Sequence, residues 1–245
     1  MGLEIFERGT LPRWLPVRQR LHTDEITDVH AAVAKALQAD FVKDAVRSGS
    51  KVGLAVGSRG IDRIAEVVRA LVAELKRMGA EPFIVPSMGS HGGATAEGQK
   101  QMLAELGVTE KFVGAPIRSS METVELGEVE DGVPVYFDRI AATEADVVIP
   151  VNRVKPHTDF HAPIESGLMK MIAIGLGKQK GADIFHRRGF HRFETLIPAV
   201  ARFSLAKINI PFGIALVENG LSRLTIIEAV PAQNMYEREK VLIEE

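Results

Sequence analysis

Twice in its first half the chain runs from a short apolar strand through a glycine-rich loop into an amphipathic helix. Residues 51–56 (KVGLAV) lead through Gly57-Ser58-Arg59-Gly60 into a helix expected over 61–78 and ended by Gly79. Residues 81–85 (EPFIV) lead through Pro86-Ser87-Met88-Gly89-Ser90-His91-Gly92-Gly93 into a helix expected from about 95 to 106. Strand, loop and helix in repetition make neighbouring strands parallel, because each helix carries the chain back over one face of the sheet. Ligands of such sheets sit beyond the carboxyl ends of the strands, where both glycine loops would lie.

The remaining pattern extends this frame. Residues 145–151 (ADVVIPV) read as a third buried strand, and 212–217 and 224–230 as two more. Residues 121–137 read as a hairpin turning at Asp131-Gly132. Apolar residues from Ile26 to Val42 recur at three and four, which predicts one helix over 23–47 capped by Thr23 or Asp24. Further helical pattern runs near 167–174, from about 182, and over 193–205. The first twenty residues, with Pro12 and Pro16, suggest an extended lead-in, and the last eleven (MYEREKVLIEE) a helix without a Gly or Pro stop. The expected fold class is α/β, a mostly parallel sheet with helices on both faces plus a β-hairpin insertion, in a single domain over 1–245.

Composition narrows the chemistry. Hydrophobic residues make up 46% and charged residues 25%, an ordinary globular balance. A net charge of -2 gives no global case for nucleic acid or an acidic membrane. There is no Cys, so disulfides, thiolate metal sites and cysteine nucleophiles are excluded; a metal would need His, carboxylate or a bound cofactor. No apolar run reaches about 18 residues, so no membrane span is expected. The acidic N-terminus lacks an apolar signal core, which makes the cytoplasm the default.

The chemistry-bearing groups concentrate at the ends of the three strands. Residues 151–191 hold four of the seven histidines, together with Lys155, Lys170, Lys178 and Lys180, among many glycines. Arg59 opens a helix within Gly-Ser-Arg-Gly, where a guanidinium and helix amides would hold one anion; a plain turn with a solvated Arg fits equally. His91 has glycines on both sides, which leave room for a substrate beside a neutral imidazole. His157 follows Pro156, which restrains the backbone ahead of the ring, while His161 reads as a solvated loop residue. Lys170 stands within an apolar stretch, so desolvation argues for an anionic or covalent partner. Lys178 and Lys180 read as a solvated pair flanking a turn, and His186 alone reads as a surface histidine.

Together these loops resemble the N-terminal domain of the nickel-dependent lactate racemase family. That family carries an Arg loop after an early strand, a Gly-Thr-His loop after the next, a His upstream of a Ser-Gly-Gly-Arg-Lys element, and a further His one short helix later. The matching residues are Gly57-Ser58-Arg59, Gly89-Ser90-His91, Lys155-Pro156-His157, Ser166-Gly167-Leu168-Met169-Lys170 and His186, within a resemblance covering about residues 52–217.

The resemblance implies a nickel-pincer nucleotide cofactor joined covalently to Lys170, with nickel held by the pincer's own carbon and sulfurs plus His186. Ser58, Arg59 and Gly167 would belong to the cofactor-binding set, Arg59 holding the cofactor phosphate or the substrate carboxylate. His91 and His157 would be the acid/base pair. A small, lactate-like 2-hydroxy acid would give up its hydroxyl proton to one His and its C2 hydride to the cofactor, and return of hydride to the opposite face would invert the centre. Leu168-Met169 stand where the family has Gly-Arg, and three extra residues separate His157 from Lys170. His161 therefore stands as an alternative second base, and the substrate need not be lactate. The family's C-terminal domain is expected to be absent, the chain being a piece of a longer protein or a single-domain relative.

Two other readings compete. His91, His157 and His186 would be direct ligands in a zinc-dependent hydrolase, although no compact motif such as HExxH is present. A non-catalytic nucleotide or organic-acid binding domain would keep the basic loops without turnover.

Overall fold

The computed structural model describes residues 13–58 and 60–245. Seven strands occur among them: β1 (Lys51–Val56), β2 (Glu81–Pro86), β3 (Thr123–Val129), β4 (Val133–Asp138), β5 (Val147–Arg153), β6 (Phe212–Glu218) and β7 (Leu224–Pro231). Five form one sheet in the order β2-β1-β5-β6-β7, while β3 and β4 pair as a separate hairpin. β1 is parallel to β2 and to β5, β5 is parallel to β6, and only β7 is antiparallel to its neighbour. The chain leaves β1 for β2 on one side and later enters β5 on the other. Crossovers running in opposite directions open a crevice at the carboxyl edge between β1 and β5.

Alternation along the strands builds two cores. Val52, Leu54 and Val56 of β1 share one face with Val147, Ile149 and Val151 of β5, under Val33, Val67 and Leu71 of two helices. Ala55, Val148 and Ala215 share the other face with Leu168, Ile172, Phe185, Phe193 and Ile197. The hairpin adds Val133, Val135 and Phe137 to this second core. Its turn is made at Asp131 (φ 62°) and Gly132 (φ 63°), the predicted pair. Each such aliphatic side chain taken fully from water contributes about 1.5–3 kcal/mol, so a strand buried on both faces fits only between two helical layers.

One element differs from the sequence expectation. The segment read as one helix over 23–47 is two, Val29–Ala36 and Asp40–Ala45. Asp28 supplies the cap, its carboxylate accepting the Ala31 amide at 2.9 Å, and Ala39 takes a ψ of 139° that breaks the run. The bend lets Val33 and Leu37 from before it and Val42 and Val46 from after it reach the same core. The last helix, Met235–Leu242, ends within the chain without a Gly or Pro. No helix of the described residues is long and apolar enough to cross a membrane.

Candidate active site

A cavity of about 320 Å³ lies at the crevice between β1 and β5. Its lining gathers Ser58 from the loop after β1, His91 from the loop after β2, and Asn152, Arg153, Lys155 and His157 from the end of β5 and beyond. Lys170 and Met171 complete it from the segment that covers the second face. Arg59 lies outside the described residues.

Each group is held by its own local device. His91 follows Gly89, whose φ of 60° suits a residue without Cβ, and its Nδ1 stands 2.5 Å from Ser58 Oγ. The excursion carrying His157 is pinched shut where Lys155 and Ser166 exchange backbone hydrogen bonds of 3.0 and 3.1 Å. Inside it the nearly buried Glu165 carboxylate accepts the His157 amide and, at 3.1 Å, the Ala162 amide, and lies 3.4 Å from His161 Nδ1. Burial alone would raise the Glu165 carboxyl, but these amides and His161 outweigh it and hold the group below its ordinary value. The His157 ring packs on Phe160 at 4.6 Å, and its Nδ1 accepts the Asp159 amide at 3.2 Å. The His161 side chain, by contrast, is 90% exposed and does not line the cavity.

Lys170 ends a short helix, Leu168–Lys170, that continues into a π-helical turn over Met171–Gly175. π-Turns are uncommon and gather at functional sites. The Lys170 ammonium lies 5.3 Å from the Phe160 ring centre, on the aromatic group that also packs against His157. The amino end of its helix is capped from a distance: Glu239 of the last helix accepts the Leu168 amide and, at 3.2 Å, the Met169 amide. Burial pushes the Glu239 carboxyl up to about 8, against the pull of those two amides. Gly167 does not line the cavity. Its carbonyl accepts Asn152 Nδ2 at 2.8 Å, and a Cβ there would run into the Glu239 carboxylate.

His186 is exposed on the helix Lys178–Arg188 and outside the cavity lining. Its ring centre is 6.2 Å from Phe190 and 6.3 Å from Phe193. His157 is also 6.2 Å from Phe190, so the two imidazoles meet one aromatic wall without sharing the cavity. Among the described residues no group of three His, Asp or Glu side chains is placed to hold a metal ion by itself.

Several groups that matter here carried no clear signal. Asn152 and Arg153 simply continue β5 past its apolar run. Arg153 lies against Glu218 of β6, whose other oxygen accepts the Asp62 amide at 2.6 Å. Lys178 overturns the expectation of a solvated residue: it is wholly buried, its ammonium 3.1 Å from the equally buried Asp138. Burial lowers the Lys178 pKa against the pull of Asp138, and burial raises Asp138 against the pull of Lys178. The expectation failed because an isolated Lys beside Gly177 and Lys180 looks like a turn, while its partners lie 40 and more residues upstream. Lys180 is exposed as expected and rests over Tyr136 at 4.1 Å.

A mostly parallel sheet with crossovers diverging beside β1 and a histidine-bearing cavity at its carboxyl edge defines an α/β protein with a ligand-sized crevice there. The chain belongs to the lactate racemase N-terminal domain family, whose model matches residues 3–195. Its fold is similar to that of the lactate racemase apoprotein from Thermoanaerobacterium thermosaccharolyticum, with a TM-score of 0.65 and 15% identity over 96% of this chain. The match spans 60% of that protein's length. No curated protein matches the chain.

Proposed function

We propose that the chain is the catalytic domain of a racemase or epimerase of a small 2-hydroxy acid, loaded with a nickel-pincer nucleotide on Lys170. One observation carries the reading: His91, His157 and Lys170, distant in sequence, line one cavity with Arg153 and Lys155, and no carboxylate lines it among the described residues. Such a lining suits an anionic substrate and a phosphate-bearing cofactor. The donor chemistry also fits, because a pincer brings its own carbon and sulfur donors to a chain without Cys. Ser58 and Arg59 would help hold the nucleotide, whereas His186, exposed and outside the cavity lining, does not reach the cavity in which an imidazole ligand would be needed. When bound, the group supplies a reversible acceptor for the substrate's C2 hydrogen.

The chain's own residues do the rest. Lys155 attracts the carboxylate, and the aromatic wall of Phe160 and Phe190 keeps water from one side of His157. With Nδ1 of His91 engaged by Ser58, Nε2 is the nitrogen that exchanges a proton with the substrate hydroxyl. His157 performs the same exchange for the opposite configuration.

Intact mass of protein co-expressed with the cofactor-making enzymes tests the proposal. An added mass is expected on the wild type and none on Lys170→Ala. An adduct that survives Lys170→Ala, or none on either, removes the cofactor from the reading. The zinc-hydrolase reading loses support because His91, His157 and His186 do not converge.

A further inference from the structure

The loop that carries His91 is tied to a buried ammonium from a distant part of the chain. Lys178 Nζ donates to the Pro86 carbonyl at 2.5 Å and to Gln99 Oε1 at 3.0 Å, and pairs with Asp138 Oδ2 at 3.1 Å. Pro86 is the last residue of β2, immediately before the loop, while Gln99 lies on the helix immediately after it. Because the ammonium occupies Gln99 Oε1, the amide is oriented with its N–H groups toward the loop. Gln99 Nε2 accordingly donates to the Gly89 carbonyl at 2.8 Å and to the His91 carbonyl at 3.3 Å. One cation thus fixes both ends of the His91 loop and, through one amide, its middle.

Lys178 holds this place against three local preferences. Its φ of 54° is left-handed, a conformation disfavoured for any residue with a Cβ. It begins the helix Lys178–Arg188, where a cation opposes the helix dipole. It is also completely buried, with Asp138 as its counter-charge. The Asp138 oxygen facing it makes an ion pair without hydrogen-bond alignment, so that carboxylate neutralises the ammonium while the directed bonds go to Pro86 and Gln99. Glycine is the residue that takes such a φ without steric cost. Rule-breaking that concentrates on one side chain, whose directed hydrogen bonds both go to the segments flanking one loop, marks a functional demand.

We infer that Lys178 and Gln99 are positioning residues for His91, fixing the backbone on which its ring meets Ser58 and the cavity. This rests on the reading of His91 as a proton-transfer residue, but its test needs neither cofactor nor turnover. The imidazole nitrogen shifts of His91 and His157 are recorded in the ¹⁵N-labelled full chain, as wild type, Gln99→Met and Lys178→Met. Gln99→Met keeps the Lys178–Asp138 pair intact, so the measurement stands even where Lys178→Met does not fold. Loss of the clamp should release the Ser58 contact and narrow the separation between the two His91 nitrogen shifts, with those of His157 unmoved. The inference is overturned if the His91 shifts stay at their wild-type values in Gln99→Met. It is equally overturned if His91 and His157 change together, the mark of a general loosening. Absence of racemase activity in the loaded wild type would count against the function and leave this result standing.

Discussion

The two imidazoles on the cavity wall are held differently, and that difference sets what each substitution should do. His157 Nδ1 accepts the Asp159 amide, which places the proton of the neutral ring on Nε2. His91 Nδ1 instead faces a hydroxyl that donates or accepts according to the tautomer. A racemase needs one group to take the hydroxyl proton and another to return it, with the roles exchanged for the other enantiomer. His91→Ala and His157→Ala should therefore each lower kcat by about 10²–10⁴-fold, equally from both enantiomers. His161→Ala should change it by less than about threefold, because a surface side chain outside the cavity makes no contact that turnover requires. Chiral chromatography of the loaded protein's product measures all three, and a His161→Ala loss matching that of His157→Ala would reverse the assignment. Ser58→Ala removes one hydrogen bond, worth about 0.5–1.5 kcal/mol, so a loss of at most roughly tenfold is expected.

At the scale of elements, the helix that presents Lys170 depends on a carboxyl from the far end of the chain. Glu239 is neutral over most of the physiological range, since its folded pKa is raised from 4.5 to about 8. A raised carboxyl contributes its full stability below the unfolded value and loses it as pH rises through the folded value. Its contribution should therefore fall between about pH 4.5 and 8, by a total on the order of 3–5 kcal/mol. Urea unfolding across that window should show a downward slope in the wild type that Glu239→Gln flattens. A slope unchanged in the variant would mean that other groups set it. Gly167→Ala drives a methyl into the same carboxylate and should cost about 1–3 kcal/mol, read as a fall in Tm. None of this pairing was legible in the sequence. Glu239 stands in a charged helical run, and 71 residues separate it from the Leu168 amide it caps. Local patterns were legible where they answer local physics: the Asp131-Gly132 turn, the start of the helix after the His91 loop, and the apolar run of β1 that is buried on both faces. The broken helix over 29–45 was not, because its apolar spacing runs unbroken through the bend at Ala39.

For the molecule as a whole, repeated strand–loop–helix units were enough to place Ser58, His91 and His157 on one edge, since topology converts sequence order into position. The same reasoning could not place His186, whose helix packs beside the aromatic wall, nor predict that Arg153 would turn toward the cavity. Those outcomes follow from side-chain packing between elements, which carries no periodic trace. Lys155 and Lys170 give the cavity a local charge opposite in sign to the chain's net -2, while Arg153 is paired with Glu218. A concave wall focuses the nearby cations, whereas the scattered surface charge is screened within about 8–10 Å at moderate salt. Binding of a small 2-hydroxy or 2-keto carboxylate should therefore weaken several-fold between about 50 and 500 mM salt, a screening range in which the Debye length falls by about threefold. Isothermal titration with lactate and with its uncharged amide separates this from general salt effects: the acid should lose affinity and the amide should bind weakly throughout. Equal salt responses for acid and amide would show that the cations face away from the ligand. The carboxylate would then be bound by Arg59 or by a second protein segment.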